Sequence, residues 1–295
     1  MTRESEADPL RFSDWLTLLG FLEEDEALQF IRGQATEHTA EEEWRQKVRR
    51  ANRAAAAISD RAVGSPEVLE LDARFGDRLR ALVNEPTFQE QLVGVKKWRF
   101  AMVEAEKLHS VQAQLNLEYL DSLVESAPAP DDLDGAVRYC LPTRQEKRKT
   151  TLLTSYNPNT NTISIVTENL DFRIAGKVEG QDPKTGTPFF GFGIGFGLPQ
   201  LSVAICDGRY YIRNGYHRAY ALLKRGHRFL PCLLVNIERI EDIGSWGPGY
   251  LPVGVVLSEK GPILADFGTE AAVKTPRRRL RMVISVHAEL QGVPI

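Results

Sequence analysis

The segment from residue 197 to residue 235 constrains the fold most, because several local signals agree there. Residues 201–205 and 209–213 are rich in strand-forming side chains, and Asp207-Gly208 stands between them. An Asp-Gly pair in this position is the strongest short-range signal for a β-hairpin. The rest of the segment predicts a helix, a helix end and a third strand, in this order: 217–224, Gly226 and 229–235.

The junction between the second strand and the helix predicts an anion site. The first backbone N–H groups of a helix have no partner within it, and the helix dipole is positive at that end, which suits phosphate. Free imidazole titrates near pH 6.5, so we expect His217 to bind phosphate more strongly at about pH 6 than at about pH 8. The candidate binding residues are Asn214, Gly215, Tyr216, His217 and Arg218.

The order of this segment resembles the nucleotide-binding core of the ParB/sulfiredoxin superfamily. The resemblance rests on Gly-Leu-Pro-Gln at 197–200, Asp-Gly-Arg-Tyr at 207–210 and Gly-x-His-Arg at 215–218, and it covers residues 197–235 of 295. It implies a ParB/sulfiredoxin-like α+β domain in which His217 and Arg218 face the phosphates beside Gly215. ParB-type proteins hold CTP and sulfiredoxins hold ATP at this box, so the implied cofactor is a nucleoside triphosphate with Mg²⁺.

Tyr216 departs from both branches of that superfamily. Its position is a cysteine in sulfiredoxins and a glutamate in ParB-type proteins, so thiol chemistry is excluded and CTP hydrolysis is not implied. The turn has a purely structural interpretation as well, with His217 bonded to backbone and Arg218 paired to a carboxylate. Catalytic residues stay unknown, because the sequence holds no serine-hydrolase elbow, metalloprotease motif or cluster with metal-ligand spacing.

Composition predicts a cytoplasmic protein. With 37 basic and 40 acidic residues, the net charge of -3 gives no overall attraction to nucleic acid or to an anionic membrane. Cys140, Cys206 and Cys232 show no Cys-x-x-Cys spacing, as expected of reduced thiols. The acidic start and the lack of a long apolar run predict no signal peptide and no membrane partner.

Residues 10–124 show a helical pattern nearly throughout. Helices are predicted to begin near Ser13, Thr39, Ser65 and Thr87, and the last of them to continue to Val124. We therefore expect an N-terminal helical bundle over residues 1–126, which folds alone and serves self-association or the docking of a protein partner. The prolines within 126–132 predict the domain boundary.

Residues 135–295 predict a mixed α+β domain. Besides the segment already described, strands are expected at 151–154, 162–167, 172–175, 253–257 and 281–286. Residues 189–198 alternate large apolar residues with glycine, which predicts one buried face carrying Phe190 and Phe192. Both a structural bend and a loop facing a ligand or partner fit that alternation, and its role stays open.

Basic clusters at 144–149 and 274–281 lie in the same half as the predicted phosphate site. They fit a nucleic-acid groove or an ordinary solvated surface. The leading hypothesis is a cytosolic protein that binds a nucleotide or nucleic-acid phosphate. The alternative is a non-catalytic scaffold or accessory subunit. An enzyme of phosphoryl or nucleotidyl chemistry ranks third, because no general base can be named: Asp207 belongs to a turn.

Overall fold

A computed structural model describes residues 12–33, 41–58, 63–85, 88, 92, 95–143, 152–167, 172–196, 200–244, 247, 249–279 and 281–287. In this part the chain is mixed α+β and divides into two compact units. The first unit comprises Met1–Glu146 and Pro199–Arg279, and the second comprises Lys147–Leu198 and Leu280–Ile295. The boundary expected between residues 126 and 135 therefore falls inside the first unit.

The elements are numbered in chain order. The described helices are α1 (Glu24–Arg32), α2 (Glu41–Ile58), α3 (Gly76–Val83), α4 (Leu117–Ser126), α5 (Leu133–Cys140), α6 (Tyr216–Lys224) and α7 (Val253–Leu257). The described strands are β1 (Phe12–Thr17), β2 (Val68–Glu70), β3 (Lys97–Glu104), β4 (Gln114–Asn116), β5 (Leu153–Asn157), β6 (Thr162–Thr167), β7 (Phe172–Gln181), β8 (Pro188–Phe196), β9 (Ser202–Cys206), β10 (Arg209–Asn214), β11 (Phe229–Asn236), β12 (Val273–Arg278) and β13 (Met282–His287).

A five-stranded sheet in the order β10-β9-β11-β3-β2 forms the centre of the first unit. Its middle strand, β11, runs parallel to β9 and antiparallel to β3. Residues 230–235 are all buried, as expected for a strand covered on both faces by apolar side chains. A smaller three-stranded sheet, β12-β1-β4, joins the beginning of the described chain to residues 273–278.

The element order predicted for residues 200–235 is confirmed. Asp207 and Gly208 have φ angles of 48° and 76°, the two left-handed central residues that a type I′ hairpin turn requires. Gly215 connects β10 to α6 with φ 90°, and Gly226, with φ 91°, follows the end of that helix. Residues 197–199, the first part of the Gly-Leu-Pro-Gln motif, lie outside the described residues.

The predicted N-terminal helical bundle is wrong where β1, β3 and β4 lie. Residues 12–17 alternate between partly buried and buried positions, as in a strand, and Trp15 and Thr17 lie on its buried face. The long helix expected from Thr87 to Val124 is replaced by β3, β4 and only the first part of α4. The helix expected after Thr39 is confirmed as α2.

The described part of the second unit holds two sheets, β13-β6-β5 and β7-β8. Strands predicted at 162–167 and 281–286 are confirmed as β6 and β13, whereas the strand predicted at 253–257 is the helix α7 of the first unit. The prediction of a buried aromatic face on residues 189–198 is wrong for Phe190 and Phe192, whose exposed fractions are 73% and 55%. The basic cluster at 144–149 lies outside the described residues. The cluster at 274–281 is described except for Leu280.

A fragment that ends at residue 125 is expected not to fold cooperatively, contrary to the bundle prediction. It retains β1 and β3 but lacks their partners β12 and β11, so two sheets lose a paired strand. The check is urea unfolding followed by circular dichroism, with the full chain as control. A sharp, cooperative transition of the fragment would contradict this expectation.

Candidate functional site

Gly215 is the residue that makes the turn into α6. It is the N-cap of that helix, no side chain caps the first turn, and no acidic residue lies in that turn. A Cβ atom at Gly215 would stand 3.1 Å from Cα of Leu201 and 3.3 Å from Nη2 of Arg218. Both the positive φ angle and the close approach of Leu201 therefore require glycine.

Tyr216 follows this glycine and is an internal anchor. Its buried hydroxyl donates to the carbonyl oxygen of Ile212 and accepts from the N–H of Val111 at 3.3 Å. Burial raises the pKa of the Tyr216 phenol well above its ordinary value. The side chain ties the start of α6 to the end of β10 and to residue 111, so it does not face a ligand.

His217 accepts a hydrogen bond through Nε2 from the N–H of Asn116, at 2.8 Å. That bond assigns the proton of the neutral ring to Nδ1, which has no acceptor in the described part of the chain. Desolvation and the charge of Arg218 lower the pKa of His217 to about 4. With this pKa the ring is neutral between about pH 6 and pH 8 in the chain without ligand, which argues against the expected gain of phosphate affinity at pH 6.

Arg218 contacts the end of another helix. Its Nη1 donates to the carbonyl oxygens of Tyr139, at 3.1 Å, and Cys140, at 3.5 Å, the last two residues of α5. A cation at this position complements the negative end of the helix dipole. The structural interpretation of the turn anticipated a carboxylate partner, whereas these two bonds go to backbone.

Asn214 completes the set of predicted residues. It is exposed, and its Nδ2 donates to the carbonyl oxygen of Gln200 at 3.2 Å. The five predicted residues are thus gathered at one turn, since they are consecutive in sequence. Their side chains differ: Asn214 lies at the surface, Tyr216 is buried, and His217 and Arg218 each reach a different helix.

The surroundings of His217 include aromatic residues that sequence reasoning missed. The ring centroids of Trp15 and Tyr119 lie 6.5 Å and 5.1 Å from the centroid of His217. Tyr119 is 48% exposed, whereas Trp15 is buried in β1. These residues come from β1 and α4, far from α6 in sequence, so no local pattern could have indicated them.

The cysteines offer no accessible nucleophile. Cys140, Cys206 and Cys232 are all buried and free. Burial raises the pKa of Cys140 to about 12, and it also raises the pKa values of Cys206 and Cys232. The reactive thiolate is therefore disfavoured at each of the three positions.

No family model, curated protein or solved structure matches this chain. Among the described helices, none combines the length and apolar character needed to cross a membrane.

Replacing Gly215 with alanine is expected to destabilise the protein more than replacing Gly208 with alanine. Both glycines have left-handed φ angles, which cost an ordinary residue about 1–2 kcal/mol. Only Gly215 also faces a close backbone neighbour, whereas a Cβ at Gly208 would meet nothing within 4 Å. Chemical denaturation should give Gly215→Ala a loss at least about 1 kcal/mol larger; equal losses would contradict the tight approach of Leu201.

The free energy of unfolding should fall as the pH is lowered from about 6.5 toward 4. In this window the unfolded chain binds a proton at residue 217 that the folded chain does not, because the pKa of His217 is about 4 in the folded chain and the ordinary pKa of histidine is about 6.5. The shift corresponds to roughly 2–3 kcal/mol of stability lost on acidification. Denaturation of wild type and His217→Gln across this range isolates the contribution, and parallel curves would show that the histidine pKa is not depressed.

Proposed function

We propose that the chain binds a nucleotide or nucleic-acid phosphate at the first turn of α6. The observation that carries the proposal is the uncapped turn at Gly215, with no acidic residue and with the Arg218 guanidinium against the glycine. The N–H groups at the start of a helix and the helix dipole attract an anion, and Arg218 adds a full positive charge beside them.

His217 and Tyr119 support a phosphate attached to a base. The neutral imidazole offers its Nδ1–H as a hydrogen-bond donor, because Nε2 is occupied by the N–H of Asn116. Tyr119, beside it, is about half exposed, and an exposed aromatic side chain is a surface on which any base can stack. A donor next to a stacking surface favours a nucleotide over inorganic phosphate.

The order of elements in residues 200–235 supports the same ligand class through its resemblance to the ParB/sulfiredoxin core. A nucleoside triphosphate is the cofactor that this resemblance implies. The backbone of the first α6 turn and Arg218 fit its phosphates. None of the five candidate residues has a carboxylate, so Mg²⁺ would arrive bound to the triphosphate and not to these side chains.

The scaffold alternative is favoured by a separate observation. Tyr216, His217 and Arg218 each bond to the backbone of another segment, at Val111, Asn116 and Tyr139 respectively. These bonds give all three side chains a role in joining α6 to the rest of the first unit without any ligand. In this alternative the chain supports a protein partner or a second copy of itself, and residues 214–218 are only an element of the fold.

Asp207 does not provide a general base for this site. It lies at the hairpin turn, at the opposite end of β10 from Gly215. A strand of six residues spans about 20 Å, far beyond hydrogen-bond reach of a phosphate at the turn. We therefore propose binding and no catalytic step.

The substitution Asn214→Asp is expected to weaken phosphate binding while α6 stays folded, although it removes the hydrogen bond from Nδ2 to the carbonyl oxygen of Gln200. It places a negative charge beside the first turn of α6, where it repels a bound anion while remaining compatible with the helix dipole. Asn84→Asp is the matched control, because Asn84 is also exposed but follows the end of α3. Titration calorimetry with CTP, ATP and a short oligonucleotide, each with and without Mg²⁺, should show a loss of about fivefold or more for Asn214→Asp alone.

Thermal unfolding of wild type with the same ligands provides the second measurement. A ligand at a hundred times its dissociation constant adds about 2.7 kcal/mol of stability. If no phosphate compound stabilises the protein and Asn214→Asp behaves like Asn84→Asp, the scaffold alternative replaces this proposal. Arg218→Ala is a poorer test, because it also removes the bonds to the end of α5.

A further inference from the structure

Arg277 is a partly buried cation on β12 with an unusual set of neighbours. Its guanidinium carbon lies 4.6 Å from the centroid of the Trp15 ring, over the face of that ring. Its Nη1 donates to Oε1 of Gln114 at 3.2 Å. The guanidinium therefore has a fixed place between an aromatic face and a neutral amide.

The residues beneath Arg277 form a buried polar network. Gln114 is 1% exposed, and its Nε2 donates to the hydroxyl of Thr17 at 3.0 Å. The hydroxyls of Thr17 and Thr275 are 2.6 Å apart, also in the interior. Because the amide nitrogen of Gln114 is used on Thr17, its oxygen is directed to Arg277. This network holds the arginine in one orientation before any ligand arrives.

The charge of Arg277 is not compensated by a carboxylate within the described part of the chain. Two nearby cations do have carboxylate partners: Lys274 pairs with Asp14 at 2.6 Å, and Arg279 pairs with both oxygens of Glu118 at 2.6 and 2.7 Å. Desolvation lowers the pKa of Arg277 from its ordinary value. A desolvated cation without an opposite charge costs free energy, and a bound anion would recover it.

We infer that Arg277, supported by Trp15 and Gln114, binds a phosphoryl group. A guanidinium presents paired N–H donors that match the oxygens of a phosphate, and one hydrogen bond to Gln114 leaves most of its donors for a ligand. The inference does not depend on the site at α6.

Arg278→Gln provides a matched control for Arg277→Gln. Both substitutions remove one positive charge from neighbouring positions of β12, but only Arg277 is held over Trp15. Titration calorimetry of the full chain with inorganic pyrophosphate should give binding at least about tenfold weaker for Arg277→Gln. Arg278→Gln should change it by less than about threefold, and Arg277→Lys should restore part of the affinity.

Equal losses for the two glutamine variants would mean general charge attraction and would overturn the inference, as would unchanged binding by Arg277→Gln. Repeating the titrations in an Asn214→Asp background separates this site from the one at α6. If Asn214→Asp has no effect and Arg277→Gln does, the proposed function fails and this inference stands; the reverse result overturns only this inference.

Chemical modification of wild type covers the case in which Arg277→Gln does not fold. Phenylglyoxal modifies exposed arginines, and peptide mass spectrometry reports the extent at each position. Pyrophosphate should protect Arg277 from modification while Arg278 reacts as before; equal protection of both residues, or of neither, would overturn the inference. Replacing pyrophosphate with CTP and then with a short single-stranded oligonucleotide distinguishes a free nucleotide from nucleic acid as the source of the phosphoryl group.

Discussion

The pairing of β11 with β3 and β9 is the constraint on which the first unit depends. Residues 229–236 pair along their whole length with residues 97–104, which lie more than a hundred positions earlier in the chain, and also run parallel to β9. Two parallel strands need a crossover connection, and here β10 and α6 supply it between β9 and β11. The helix must therefore begin directly after β10, which is why a glycine with a left-handed φ angle stands at residue 215. The turn that carries the candidate site is thus part of the crossover connection between β9 and β11.

The same crossover determines what the side chains at the site can do. Tyr216 forms hydrogen bonds with the backbone of Ile212 in β10 and of Val111. His217 accepts a hydrogen bond from the N–H of Asn116, which is the N-cap of α4. With the pKa of His217 lowered to about 4, this residue contributes a donor and no positive charge near neutral pH. Attraction of an anion therefore depends on Arg218 and on the backbone of the first turn. The sequence alone suggests two positive charges, at His217 and Arg218, whereas the folded chain provides only the second near neutral pH.

Local sequence signals predicted residues 200–235 well and the first part of the chain poorly, for a physical reason. The Asp-Gly turn, Gly215 and Gly226 act through their own backbone angles, so the information lies within a few residues. Trp15 and Leu18 have helical spacing, yet Trp15 lies in the strand β1, which ends at Thr17 and is followed by a short 3-10 turn. The strand forms because β1 pairs with β12, which lies about 260 residues later in the sequence. Residues 253–257 are β-branched in part and were expected to form a strand, but Pro252 precedes a single helical turn there. The pKa of His217 and the environment of Arg277 could not be predicted either, since both arise from residues that only the fold brings together.

Trp15 connects the two candidate sites through the small sheet. It is 7% exposed, its indole N–H donates to the hydroxyl of Ser13 at 2.8 Å, and its ring contacts both His217 and Arg277. The arginine over its face has an amide and a π system as neighbours, whereas Lys274 and Arg279 nearby have carboxylates. A carboxylate partner would lower the energy of the buried guanidinium but would also compete with any incoming anion. Neutral acceptors stabilise the position of the side chain and leave its charge available, and this difference separates a cation suited to binding from one suited to surface pairing.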